Sequence, residues 1–282
     1  MPDSFPTKLL TNSIILAVLG LCSPAGAQEL LDSTTAKRLI PATAAPEGSL
    51  EISVATEYAT LNFDYSRFND AGDLFEFRAH EFHTWTTDIE IVFGLLEDLE
   101  LTATLPLVRA NFEAADKDTI SRRRERSEFG IGDVEIAASY GFESEDETLL
   151  ALVSLGAELP TNTLGSFFGG GTSAGIGVVE VEKYFGGFGW VCGIETHLED
   201  RDWTHEFRAG VALVPTRDLF WQAIFARNPS EGIDRIETNL EYLVSEELSL
   251  ECLFSQEISG KERETIVGIG VTFFFESAGE DD

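Results

Sequence analysis

The stretch IVFGLLEDLELTATLPLV, Ile91 to Val108, is apolar, then briefly acidic, then apolar again. In its second half Leu99, Leu101, Ala103, Leu105 and Leu107 fall on every second position, with Glu100, Thr102 and Thr104 between them. A period of two belongs to an extended strand with one greasy and one wet face; a helix would repeat every 3.6 residues. The alternation recurs from Leu50 to Phe275, for example in Trp85/Thr87/Ile89/Ile91/Phe93, Val134/Ile136/Ala138/Tyr140/Phe142 and Thr265/Val267/Ile269/Val271/Phe273/Phe275. About twelve such segments can be counted, most of them at least ten residues long, which is the length a tilted strand needs to cross a bilayer. Strands of soluble proteins run nearer five or six. The expectation is an all-β fold, an antiparallel up-and-down transmembrane β-barrel of about 12 strands with its apolar rows against lipid. In a soluble sandwich the polar rows of the same pattern would face bulk solvent instead.

The connections sort into two kinds. Joints at 95–98, 143–147, 186–187, 215–218 and 245–247 are tight, while the alternate joints at 61–74, 113–127 and 161–174 read as longer loops, followed by shorter ones at 199–202, 228–233 and 259–262. Short turns on one rim and longer loops on the other are the pattern of an outer-membrane barrel, with periplasmic turns and extracellular loops. Opposite the apolar rows stand Glu100, Asp133, Glu135, Glu180, Glu182, Glu195, Glu237, Glu241 and Glu251, with Arg208 and Arg235 among them. A closed sheet puts these residues in its lumen, where they line a candidate transport path. Ser154, Gly156, Gly193, Gly268 and Gly270 fall on the same face and leave room for water. Aromatic residues near strand ends (Phe142, Tyr184, Phe185, Trp203, Phe273, Phe275) are expected as interface girdles.

The two ends are of another character. Lys8, the apolar run IILAVLGLC (14–22) and the small-residue pattern Ala25-Gly26-Ala27 form an export signal with cleavage after Ala27, too short to span a bilayer as a helix. This divides the chain into a signal peptide (1–27), an N-terminal extension able to act as a plug (28–47), the barrel (48–275) and an acidic tail (276–282). Cys192 and Cys252 lie on outward rows far apart in the sheet and are expected as free thiols behaving like small hydrophobes. The formal net charge is −31, which disfavours nucleic acid as a partner and favours cations.

Three ordered stretches carry a resemblance. FGLLEDLELTATLPLV (93–108) is similar to a strand-turn-strand in which a Gly starts the turn and a Pro closes the next strand. FGIGDVEIAASYGF (129–142) has a G-x-G-D start before a long alternating strand, and LGAELPTNT (155–163) resembles a strand ending in Pro-Thr-Gly, with Asn162 in the place of Gly. Together they resemble the outer-membrane barrel family of the meta-pathway of phenol degradation. The resemblance implies a transporter of small organic, often aromatic, compounds. Many such barrels end on an aromatic residue read by the barrel-assembly machinery during biogenesis, whereas here Phe275 is followed by ESAGEDD.

Candidates for chemistry are few. GTSAG (171–175) matches the G-x-S-x-G nucleophile elbow, but Ser173 precedes a strand where the elbow needs a helix. His80 and His83 fall on opposite faces of one strand, and so do His197 and His205 across a hairpin, so neither pair shares a metal. No catalytic residue, metal or cofactor is expected, and no P-loop is present. SRRRERSE (121–128) is the one dense basic run, and Arg122, Arg123, Arg124 and Arg126 are expected on an extracellular loop, gripping lipopolysaccharide phosphates or folding onto the acidic lumen. The expected role is passive passage of small molecules, aromatic or cationic, through the cell outer membrane, with outer-membrane lipids and lipopolysaccharide as neighbours. The alternatives are a surface protein with a closed lumen and a lipid-modifying enzyme that depends on Ser173.

Overall fold

The computed structural model describes residues 44–68, 74–116, 119–146, 148–164, 173–199, 201–259 and 263–275. The expected signal segment, residues 28–43 of the expected extension and the acidic tail therefore lie outside the described residues. Thirteen strands follow one another: β1 (Leu50–Phe68), β2 (Leu74–Leu96), β3 (Leu99–Asp116), β4 (Thr119–Ile131), β5 (Val134–Glu143), β6 (Leu149–Leu159), β7 (Ala174–Phe185), β8 (Phe188–Glu199), β9 (Asp202–Thr216), β10 (Leu219–Asn228), β11 (Ile233–Ser245), β12 (Leu248–Glu257) and β13 (Arg263–Phe275). All described pairings are antiparallel between neighbours, and pairing of β1 with both β2 and β13, and of β2 with β3, closes the ring.

Twelve strands make the ring and β4 is extra. The lower half of β3 (Leu99–Thr104) pairs with β5, and its upper half (Leu107–Ala115) pairs with β4. β4 and β5 are thus two lengths of one path along β3, parted at Gly132–Asp133, where Gly132 N–H donates to the Pro106 carbonyl (2.8 Å). Closure leaves no open edge around the ring, the condition a sheet must meet in hydrocarbon.

The tight joints all lie on one rim, together with the residues that enter β1 and leave β13. On the other rim the strands are longer than the sequence suggests. β1, β2 and β3 run 19, 23 and 18 residues. Most of the expected loops 61–74 and 113–127 is therefore strand, and Arg122, Arg123, Arg124 and Arg126 lie within β4 rather than on a loop. The run 113–126 carries no alternation of apolar and polar residues, the signal by which a strand is recognised in a sequence.

The outer wall is apolar. Ile91, Leu101, Ile136, Val153, Trp190, Phe207, Leu240 and Val267 are all more than 40% exposed although they lie mid-strand. In water such a continuous belt would be an aggregation surface; against acyl chains it is the favourable one. Phe142, Phe185, Trp203, Phe273 and Phe275 project outward near strand ends. Tyr184 does not. It is 1% exposed and points inward, because alternation allows only one of Tyr184 and Phe185 to meet lipid. Cys192 and Cys252 are free and exposed on the same outer face.

Candidate functional site

Alternation carries every second side chain of each strand into the lumen, and three layers follow one another from the tight-turn rim. The first is apolar. Leu150, Tyr184, Val191, Val214, Phe220, Ile224, Leu243 and Phe274 are buried and packed together, with Leu152 against them. They come from strand ends where both faces are apolar, as in Leu149–Leu150, Leu219–Trp221 and Phe273–Phe275. Across from them the entering chain fills the remaining sector. Ala45 is buried and its N–H donates to Glu100 Oε2 (2.7 Å), Gly48 N–H donates to the Gly94 carbonyl (2.7 Å), and Gly94 N–H to that of Ser49 (3.1 Å). Gly94 and Gly141 have no side chain because a Cβ there would lie 1.9 Å from the Pro46 carbonyl oxygen and 3.0 Å from Ala44.

Immediately above this seal is a ring of carboxylates. Glu182 is wholly buried and accepts from the Tyr184 hydroxyl (2.5 Å) and from Gln222 Nε2 (3.4 Å). Glu241 accepts from the Ser249 hydroxyl (2.7 Å). Glu51, Glu90, Glu241 and Glu251, with Ser53, Thr272 and Phe274, enclose a lumen cavity of about 150 Å³.

The third layer is a charge network on one side of the lumen. Arg208 Nη2 donates to Glu237 Oε2 (2.7 Å), and Arg235 Nη2 lies 2.9 and 3.0 Å from the two oxygens of Glu206. Arg235 Nε is 2.6 Å from Glu237 Oε1, a charge contact whose angle is poor for a hydrogen bond. Glu237 thus braces Arg235 of its own strand, β11, and Arg208 of β9, across the intervening β10. Beside them His197 Nε2 and Glu195 Oε1 are 2.6 Å apart. Glu135, Glu158, Asp88 and Glu57 complete the inward acidic face on other strands.

The structure thus brings Glu100, Glu135, Glu180, Glu182, Glu195, Glu237, Glu241 and Glu251 to the lumen with Arg208 and Arg235. Asp133 is placed differently. Lying between β4 and β5, it accepts the Asn162 N–H (2.9 Å) and ties the segment after β6 to the wall. Reasoning from sequence missed Glu51, Glu57, Asp88, Glu90, Glu158 and Glu206, although the same every-second-residue rule finds them. His205 stacks on Trp203 outside the barrel while His197 points inward, so the two do not meet. His83 lies outside against Tyr58, their polar atoms 2.7 Å apart. Ser173 is exposed just ahead of β7. No group of three metal-ligating side chains occurs among the described residues.

A concavity of about 810 Å³ lies outside the lumen. It crosses the lipid-facing wall between Phe93 and Trp203 over a floor that includes Ala103, Ala138, Ala157, Gly175 and Gly177.

No protein-family model matches the chain, and neither does any curated protein. The fold is similar to that of the COG4313 outer membrane channel from Pseudomonas putida F1, with a TM-score of 0.59 at 10% identity over 84% of this chain and 98% of that one. It is also similar to the KdgM porin in complex with disordered oligogalacturonate, with a TM-score of 0.51 at 8% identity over 79% and 99%. At these identities the likeness shows a shared outer-membrane barrel fold. The resemblance to the meta-pathway family rests on the three sequence stretches alone.

Proposed function

We propose that the protein is an outer-membrane barrel that lets small molecules pass without energy input, with a preference for cationic and neutral solutes over anions. The observation that carries this reading is the imbalance of the lumen wall. Its described arginines, Arg208 and Arg235, are both engaged by Glu206 and Glu237, while Glu51, Glu57, Asp88, Glu90, Glu100, Glu135, Glu241 and Glu251 line other sectors. A narrow, water-wetted passage with low-dielectric walls concentrates the counter-charge of its lining. The two solved channels support the reading as barrels of the same kind. The phenol-pathway resemblance adds aromatic compounds as the neutral class. The expected localisation is the outer membrane, with lipids and lipopolysaccharide around the wall.

Reconstitution in a planar bilayer under a salt gradient tests this: a cation-selective reversal potential is expected. Anion-selective current, or none under any condition, overturns it. A second reading, a barrel with a closed lumen, is favoured by one observation, the apolar seal completed by Ala44–Ser49. The two readings describe one molecule if the entering segment is displaceable, as a variant at Gly94 can decide. The lipid-hydrolase alternative would show as lipid hydrolysis lost in Ser173→Ala.

A further inference from the structure

Among the described residues, the cations on the outer wall of the ring have a carboxylate beside them, Arg109 excepted. Lys183 Nζ lies 3.8 Å from Asp146 and Arg227 Nε lies 3.7 Å from Asp234. Arg109 of β3 is exposed and has no such partner among the described residues. Cross-strand register sets Trp85 of β2 opposite it on one side and Phe129 of β4 on the other, 49% and 74% exposed. Tyr58 extends the row beyond Trp85, their ring centroids 4.7 Å apart. One step further from the tight-turn rim the same face carries His83, Asn111 and Ser127, again opposite one another. Neither row holds a carboxylate.

Height decides what this part of the wall meets. Arg109 stands ten residues along β3 from Leu99 at the tight-turn rim. At about 3.3 Å per residue and a tilt of about 40°, that is roughly 25 Å along the barrel axis, the height of the apolar band of an outer-membrane barrel. Leu99, Leu101, Ala103, Leu105 and Leu107 fill the band below it. Arg109 therefore stands where hydrocarbon ends and headgroups begin in the far leaflet, which is the outer one when the tight turns are periplasmic. An arginine is tolerated at that boundary because its stem lies along apolar surface while its head reaches the polar layer. Trp85 and Phe129, one strand spacing of about 4.8 Å to either side, bracket that stem with rings. The anions of the headgroup layer are phosphates, and a guanidinium grips a phosphate through two parallel N–H donors. One step further out, the Asn111 amide and the Ser127 hydroxyl supply both donors and acceptors, which suit the hydroxyls of a sugar.

We infer that Arg109, with Trp85, Phe129, Asn111 and Ser127, forms a site on the outer wall for the phosphorylated sugar headgroup of an outer-leaflet glycolipid. Arg109 takes the phosphate, the two rings lie at the boundary between acyl chains and sugar, and Asn111 and Ser127 take sugar hydroxyls. Arg201 provides the contrast: it is exposed at the same rim, but its turn also carries Glu199 and Asp202, whose charge repels a phosphate. The site rests on the barrel's place in the membrane and not on conduction, so a closed lumen or an anion-selective current leaves it untouched.

Native mass spectrometry of the full chain in detergent, with either diphosphoryl lipid A or phosphatidylglycerol added, tests the inference. Lipid A is expected to be retained at lower concentration than phosphatidylglycerol. Arg109→Gln should weaken lipid A about fivefold, and Arg109→Lys, which keeps the charge but loses the two-pronged grip, should fall between the two. Arg201→Gln should leave retention unchanged, and inorganic phosphate should not displace the lipid. Equal retention of the two lipids, no loss in Arg109→Gln, an equal loss in Arg201→Gln, or displacement by inorganic phosphate overturns the site. The comparison of lipids on the wild-type protein decides the matter even where Arg109→Gln fails to assemble.

Discussion

Gly94→Ala is the substitution that most directly separates a sealed barrel from a conducting one. The Cβ it adds would lie 1.9 Å from the Pro46 carbonyl oxygen, whereas a carbon and an oxygen in contact stay roughly 3.3 Å apart. Gly94 is held in the wall by its pairing in β2, so the entering segment is the part that yields, by about 1.4 Å or more. A shift of that size stretches the 2.7 Å bond from Ala45 N–H to Glu100 beyond hydrogen-bond range. A hydrogen bond to a charged group is worth about 1.5–3 kcal/mol, and the neighbouring bonds between Gly94 and Gly48 or Ser49 are strained as well. Taking about 2 kcal/mol as the loss, the displaced population rises roughly thirtyfold. Hydrogen exchange at the Ala45 and Gly48 amides should accelerate by about that factor, and the open time of single channels should lengthen in parallel. Gly177→Ala is the control, since a Cβ there meets only ordinary contact, 3.8 Å from Leu155. The reasoning fails if Gly94→Ala folds, as judged by heat-modifiable mobility, and yet moves neither exchange nor open time.

Glu237→Ala leaves Arg208 without its carboxylate and Arg235 with Glu206 alone. The reversal potential should then move toward anions, and stability should fall by about 1.5–3 kcal/mol, nearer the lower figure in a wetted lumen; an unchanged urea midpoint and an unchanged potential would both speak against the bracing role. Cys192 and Cys252 project from the outer wall, so in membranes they should react with a lipid-soluble maleimide and not with a charged, impermeant thiol reagent, and the reverse pattern would show that the wall faces water. In the tight turn after β5, hydrogen bonds from Ser144 and Thr148, with Lys183 nearby, hold the Asp146 carboxyl down to about 2. A carboxyl lowered in the folded state contributes fully above its ordinary range and loses that contribution as pH falls toward 2, so Asp146→Asn should loosen the turn at pH 7 and make little difference near pH 2, as read by hydrogen exchange at Leu149.

The alternation of period two made the ring legible in the sequence because each ring strand separates two media, and the rule for which residue faces which medium is simple there. Leu99 to Leu107 show it in its plain form. Where the media change, the rule changes with them. At the tight-turn rim, Leu150, Val214, Phe220 and Phe274 meet one another instead of water, so both faces are apolar and the inner layer is invisible to a search for greasy-and-wet alternation. Tyr184 was misplaced for the same reason: beside Phe185, its inward position shows only in its bond to Glu182. The side-chain bond that reassigns Asp133 joins residues 29 apart in the chain and follows from the closed path along β3, beyond what local spacing encodes. At the far rim β3 and β4 extend through 113–116 and 119–126, where no apolar row alternates with polar residues, so the stretch reads as loop although it is strand. A single criterion, which solvent each face meets at each height, accounts for both the visible ring and the hidden seal.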